Sequence, residues 1–289
     1  MAETYLLDAP SLVYRAFFAL PTTLTDSHGR PVNAVRGFLE MVTRIVIDHR
    51  PERIVAVFDA NWRPDFRVAA YPPYKAERPD DPPELPRQFD VLATVLDAAG
   101  ISRAESEGLE ADDAIATLVE TSDRREMLVV VTGDRDLLAL VEDPRVRVLF
   151  PVRGTKEMKE FDEAAVEAAY GVPARLYPAF ATLRGDPSDG LPGVPGIGPK
   201  RAADLLGRYG SIDAIVEDSS SFTPKLAASF EDSLHYLEAM KTVVTLVRDA
   251  PVEATPAGAP DERTLRTLAE EHNLGSSTVR LLQALKGER

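Results

Sequence analysis

Asp186-Pro187-Ser188-Asp189 sets two carboxylates around a turn-forming Pro-Ser pair. Hard oxygen ligands so spaced can face a divalent cation of the Mg²⁺ or Mn²⁺ kind, and cations held that way support hydrolysis. The same spacing also suits an Asx turn, in which each carboxylate accepts from nearby backbone. A few residues on, Gly196-Ile197-Gly198 leads into Pro199-Lys200-Arg201. The glycines permit a tight hairpin, Pro199 suits the first position of a new helix, and exposed amides beside two cations fit a phosphate. Ala202-Ala203-Asp204-Leu205-Leu206 then supplies an apolar helix, so the run looks like a helix-hairpin-helix clamp on a DNA backbone.

More acids lie upstream, each at the end of an apolar run. Leu6-Leu7-Asp8, Val57-Phe58-Asp59 and Val130-Val131-Thr132-Gly133-Asp134-Arg135-Asp136 read as buried strands finished by carboxylates. In a parallel α/β sheet, ligands sit beyond the carboxyl ends of the strands, so Asp8, Asp59, Asp134 and Asp136 should meet there. Glu110-Ala111-Asp112-Asp113 opens a helix. Acids there favour the helix dipole, and Glu110 and Asp113 share one face while Asp112 points from the adjacent side. So many like charges in one place would raise each other's pKa values, and bound divalent metal is the natural compensation.

Between Trp62 and Arg87 the composition changes to Arg63, Arg67, Tyr71, Tyr74, Lys75, Arg78 and Arg87 among seven prolines. No core strand forms there. The segment is either an exposed proline-rich loop or a cationic flap holding a single strand by charge and aromatic stacking, and the length of the loop favours the flap.

The chain of 289 residues is 44% hydrophobic, enough for a sizeable core. A formal charge of −14 disfavours nucleic acid unless the acids are clustered, and nine carboxylates at one site would account for more than half of it. The absence of cysteine excludes disulfides, zinc-thiolate sites and thiol catalysis. The start Met1-Ala2-Glu3-Thr4-Tyr5 has no leader pattern and no apolar run reaches membrane-spanning length, so a soluble cytoplasmic protein is expected.

Strands are expected over 4–8, 54–59, 127–132 and 146–150. Helices are expected from Ser11 as cap through Phe18, then over 33–48, 84–99, 110–119, 163–170, 175–183, 212–216, 224–245 and 261–286, with the final amphipathic stretch 280–289 structural. No internal repeat is present.

Taken in order, the runs ending in Asp8 and Asp59, Tyr74-Lys75-Ala76-Glu77-Arg78, the Glu110, Asp134 and Asp136 motifs and the Gly185-to-Lys200 run resemble the 5′-nuclease family. That family includes flap endonucleases, phage 5′ nucleases and the 5′-nuclease domain of bacterial DNA polymerase I, to which residues 4–250 are most similar. The resemblance implies an α/β fold: a PIN-like core over 1–184 with a mainly parallel sheet and a helical arch over 71–90, then a helical helix-hairpin-helix subdomain over 185–289. It implies two metal sites, one held or supported by Asp8, Asp59, Glu110, Asp112 and Asp113, the other by Asp134, Asp136, Asp186 and Asp189. Asp134 and Asp136 join Lys75 and Arg78 as catalytic candidates, the two cations at the scissile phosphate. Arg67, Tyr74, Lys75, Arg78, Gly196, Gly198, Lys200 and Arg201 would bind DNA, with K⁺ at the hairpin. Gly190 departs from the family's usual Asn.

The expectation is a metal-dependent DNA 5′ nuclease acting at a flap, nick, gap or 5′ end in replication and repair. It would be a monomer without a polymerase module and would leave 5′-phosphate and 3′-hydroxyl ends. Its rivals are a PIN-type ribonuclease, a DNA-structure-binding protein with a degenerate metal site, and an acidic structural protein.

Overall fold

The computed structural model describes residues 3–153 and 157–287. Met1-Ala2 and Glu288-Arg289, the latter part of the expected last helix, lie outside these residues.

Among the described residues seven strands form one sheet: β1 (Glu3–Asp8), β2 (Arg53–Val57), β3 (Ser102–Glu105), β4 (Met127–Val131), β5 (Val146–Arg153), β6 (Glu157–Phe161) and β7 (Glu253–Ala254). Their order is β6-β5-β4-β1-β2-β3-β7. The five inner strands are parallel, while β6 and β7 pair antiparallel at the two edges. The chain moves outward from β1 in both directions, so the crevice beyond the carboxyl ends of β1 and β4 is the switch point where such sheets bind ligands.

Alternation within the strands explains the layers. Tyr5 and Leu7 of β1, with Val129 and Val131 of β4, face one core, whereas Leu6, Leu128 and Val130 face the other. On the first face pack α1 (Ala9–Ala19), α2 (Asn33–His49) and α4 (Leu85–Ala98). On the second lie α5 (Ala111–Thr121), α6 (Glu163–Tyr170), α7 (Tyr177–Arg184), α8 (Pro199–Tyr209) and α9 (Ile212–Glu217).

Between Val57 and Leu85 the chain forms α3 (Asp65–Ala70) and then a strap. The helical arch expected over 71–90 is not one helix: residues 72–77 are turns, 78–82 are irregular, and helix resumes only at Leu85. Pro72, Pro73, Pro79, Pro82 and Pro83 explain this, since each removes a backbone donor and restricts the residue before it.

The expected helix over 224–245 divides at Ser233 into α10 (Pro224–Asp232) and α11 (Leu234–Val243). That over 261–286 divides into α12 (Glu262–Glu271) and α13 (Ser276–Leu285), because Asn273 and Gly275 between them adopt positive φ. Leu265, Leu268, Leu274 and Leu281 from this pair enter the first core beside Phe38 and Leu92. The last helices therefore pack against the first face of the sheet.

Candidate active site

Beyond the carboxyl ends of β1, β2 and β4 lies a cavity of about 740 Å³ lined by Asp8, Asp59, Glu110, Asp112 and Asp134, and also by Lys75, Arg78, Asp80 and Asp81. Asp8, Asp59 and Asp134 are each held by hydrogen bonds. Asp8 ends β1 and caps α1, accepting from the amide of Ser11 at 3.3 Å and the hydroxyl of Thr132 at 2.5 Å. Asp8 and not Ser11 is thus the cap, and the Ser11 hydroxyl instead accepts from the Gly133 amide at 2.8 Å. A Cβ on Gly133 would stand 2.8 Å from that hydroxyl oxygen, so glycine permits the close approach. Thr132 also accepts from the Asp134 amide at 2.8 Å. One threonine therefore joins the ends of β1 and β4, a role that nothing in its spacing announced.

Asp59 accepts from the Ala111 amide at 2.7 Å, fastening the end of β2 to the start of α5. Asp134 accepts from the Asp136 amide at 2.9 Å. Asp136 and Asp189 border a neighbouring hollow of about 20 Å³, together with Glu110 and Asp112. Asp186 lines neither space; it makes an Asx turn, accepting from the Ser188 amide at 3.0 Å, with Arg184 at 3.2 Å from its other oxygen.

Three expected site residues are placed otherwise. Arg67 is only 2% exposed and buried with Asp113, whose oxygens accept from its two guanidinium ends at 2.7 Å each. Arg67 also donates to Glu110 at 2.5 Å and to the carbonyl of Val243 at 2.9 Å. It consequently offers no surface to DNA, and Asp113, which also accepts from the Val247 amide at 2.9 Å, is turned away from the cavity. In this structure Arg67 and Asp113 tie α3 to α5 and to the 243–247 segment. Tyr74 is likewise buried, donating to Glu110 at 2.9 Å, and so is not a surface for stacking.

From the strap, Lys75, itself buried, and exposed Arg78 line the cavity beside the acids. Lys75 pairs with Glu110, and its amide donates to the carbonyl of Asp189 at 3.0 Å. Arg78 reaches Asp189 at 2.6 Å and the carbonyl of Ser188 at 3.1 Å. Gly190 makes the seat possible: at φ +73° it lets the strap close, and a Cβ there would lie 2.7 Å from the carbonyl oxygen of Pro73.

Electrostatics follow from this crowding. Burial pushes the Asp8 carboxyl up to about 7, with Asp134 and Asp59 adding to the rise and Thr132 opposing it. Burial also raises Asp59 to about 6, against the bond from Ala111 and with the charge of Glu110. Asp112 and Asp136 are held well above the ordinary range by burial and then by Asp134 and further acids. Burial works against the Lys75 ammonium, but Glu110 and Asp189 outweigh it and raise its pKa. Among the described residues no three of the acids converge into a ready ligand cage. The donor set nonetheless fits a hard divalent cation, because the cavity offers carboxylate oxygens whose mutual repulsion such a charge would relieve.

The hairpin is built apart from this cavity by its own packing. Val194 and Ile197 are buried, and the Val194 amide donates to the carbonyl of Leu183 at 2.9 Å. Gly196, Gly198, Lys200 and Arg201 are exposed, and Gly198 precedes the first turn of α8. Arg201 donates to the carbonyl of Gly196 at 3.1 Å, which steadies the loop. Among the described residues no helix is long and apolar enough to cross a membrane.

Comparison with known proteins agrees with this layout. Residues 3–171 match the family described as 5′-3′ exonuclease, N-terminal resolvase-like domain, and residues 172–264 match its C-terminal SAM fold. A 5′-3′ exonuclease of Streptomyces coelicolor is 45% identical over 97% of this chain and 99% of its own length. A DNA polymerase I of Mycobacterium bovis is 43% identical over 87% of this chain, but only 28% of that protein is covered. The bacteriophage T5 flap endonuclease, solved in complex with DNA and metal ions, superposes with a TM-score of 0.66 at 17% identity, covering 98% of this chain and 99% of that one. The chain is a nuclease and belongs to the 5′-3′ exonuclease family.

Proposed function

We propose that this nuclease is a metal-dependent DNA enzyme that hydrolyses phosphodiesters at 5′ ends and at the junction of a 5′ flap with duplex, leaving 5′-phosphate and 3′-hydroxyl ends. The observation that carries the reading is the pairing of opposites in one cleft: Asp8, Asp59, Glu110, Asp112 and Asp134 line a cavity that Lys75 and Arg78 of the strap also line, together with the strap acids Asp80 and Asp81.

Asp8, Asp59, Glu110 and Asp112 would hold one Mg²⁺ or Mn²⁺ ion, and Asp134, Asp136, Asp189 and, after turning from Ser188, Asp186 would hold another. When bound, such ions lower the pKa of water and neutralise charge on the attacking and leaving oxygens. Asp113 supports the first set indirectly, by fixing Arg67 against Glu110. Lys75 and Arg78 would leave their carboxylate partners for the scissile phosphate and stabilise it as charge develops. Gly196, Gly198, Lys200 and Arg201 would grip the duplex backbone without reading its sequence, with K⁺ on the hairpin carbonyls. Work in replication and repair, on flaps, nicks and gaps, follows from that substrate choice.

The test is cleavage of a 5′-flap duplex labelled separately at each end of the flap strand, in Mg²⁺, in Mn²⁺ and in chelator, with matched single-stranded RNA in parallel. Cuts near the junction that need metal and spare the RNA are expected. Preferential cleavage of the RNA would favour the ribonuclease reading, and binding without cleavage under either metal would leave only a DNA-structure-binding protein.

A further inference from the structure

The aromatic side chain presented to the nucleic acid is not one of the strap tyrosines. Tyr74 is buried against Glu110, and Tyr71 packs on Tyr236 with ring centroids 5.9 Å apart. Trp62, in contrast, is 50% exposed and lines the same cavity as Asp8, Asp59 and Asp134. It takes part in no ring pair among the described residues.

The indole is held out on a fixed turn. On one side the Asn61 amide donates to the carbonyl of Leu109 at 2.9 Å. On the other, the Arg63 guanidinium donates to the carbonyls of Tyr74 and Pro72 at 2.7 Å each, and the Arg63 amide donates to the Asn61 side chain at 3.0 Å. Both neighbours of Trp62 are therefore locked, one to the acid-bearing start of α5 and the other to the strap. A large flat ring carried on a pinned backbone turn beside the cleft has only its two side-chain torsions to lose on binding, which suits a stacking platform. Phe18 lines the cavity too, but its ring sits at the end of α1 against Phe17 at 5.3 Å.

Resting on the nuclease reading above, we infer that Trp62 is a base-stacking platform that takes an unpaired nucleobase of the 5′ strand and so sets which phosphate reaches the acids. Such a contact is tolerant of base identity, because every base has a π-face, and it acts as a positioning contact rather than a participant in hydrolysis.

Trp62 is the single tryptophan of the chain, so tryptophan emission reports on this ring alone. The full chain would be titrated with a labelled 5′-flap duplex in Ca²⁺, following anisotropy for binding and emission for stacking, with gels showing that the strand stays intact. Quenching should accompany binding of the flap duplex, should fail for plain duplex, and should disappear when an abasic residue walked along the flap reaches the stacked position. Trp62→Ala should bind the flap substrate roughly 5- to 150-fold more weakly with plain-duplex affinity unchanged and should scatter the cut positions, and Trp62→Phe should restore much of both. Flap binding with unchanged emission would overturn the stacking role alone. Failure to bind the flap duplex at all would overturn the proposed function and this inference with it.

Discussion

Arg67 grips Asp113 with both ends of its guanidinium at 2.7 Å, and the pair is closed off from solvent between α3, α5 and the 243–247 segment. Removing one member leaves the other charge buried without its partner, at a cost of about 3–5 kcal/mol. Arg67→Ala and Asp113→Asn should both lower the denaturant midpoint strongly, and Arg67→Lys should recover only part because it cannot form the fork. Duplex affinity of the folded fraction should stay near that of the unaltered chain. A large loss of affinity in a fully folded Arg67 variant would restore a direct DNA role.

Arg78 has a different environment. Its pair with Asp189 is partly open to solvent, so its loss should change stability by less than about 1 kcal/mol. Its position beside the acids predicts a selective kinetic effect: Arg78→Ala should slow single-turnover cleavage by about 10²-fold or more with a much smaller change in DNA Kd. Equal losses in the two quantities would assign Arg78 to binding alone.

Gly190 is where the strap meets the Asp186–Asp189 turn. Asparagine tolerates its positive φ, yet the added Cβ would press on the Pro73 carbonyl at 2.7 Å. Gly190→Asn should lift the strap and speed tryptic cleavage of the Lys75-Ala76 bond, while global unfolding changes little. Unaltered proteolysis would show that the seat has room to adjust.

The acidic cleft predicts a pH dependence with a definite sign. Asp8 and Asp59, raised to about 7 and about 6, keep protons in the native state that the unfolded chain, with carboxyls near 3.8, has released. The native state therefore binds more protons between these limits, and the contribution of these groups to stability falls as pH rises from about 4 to about 7. In chelator, Tm should decline across that window, Asp8→Asn should flatten the decline, and Mg²⁺ should raise Tm more above pH 7 than below pH 5. A Tm gain from Mg²⁺ independent of pH would mean that the ion binds elsewhere.

Much of this site was legible because its parts obey local rules. The apolar runs before Asp8, Asp59 and Asp134 are buried parallel strands, and acids at their ends converge by topology. Adjacent Asp112 and Asp113 could not be separated by spacing, since only the arrival of Arg67 from 46 positions away decides which one faces the cavity. Thr132 and Ser11 were hidden for the same reason, as their partners lie across the sheet. Edge strand β6 is mostly charged and exposed, and β7 has two residues, so neither carries a periodic signal. The breaks near Ser233 and Gly275 fell inside long helical patterns, although Asn273-Leu274-Gly275 is a recognisable stop.

The central claim is that the clustered carboxylates hold the ions that drive hydrolysis. It is tested most directly by single-turnover cleavage of a 5′-flap duplex by the unaltered chain and by Asp134→Ala, in Mg²⁺ and with DNA affinity measured in parallel. The account predicts that the variant binds the flap with similar Kd and cuts it at least about 10²-fold more slowly, as expected when a charge-stabilising group is lost. Cleavage by Asp134→Ala at an undiminished rate would contradict it.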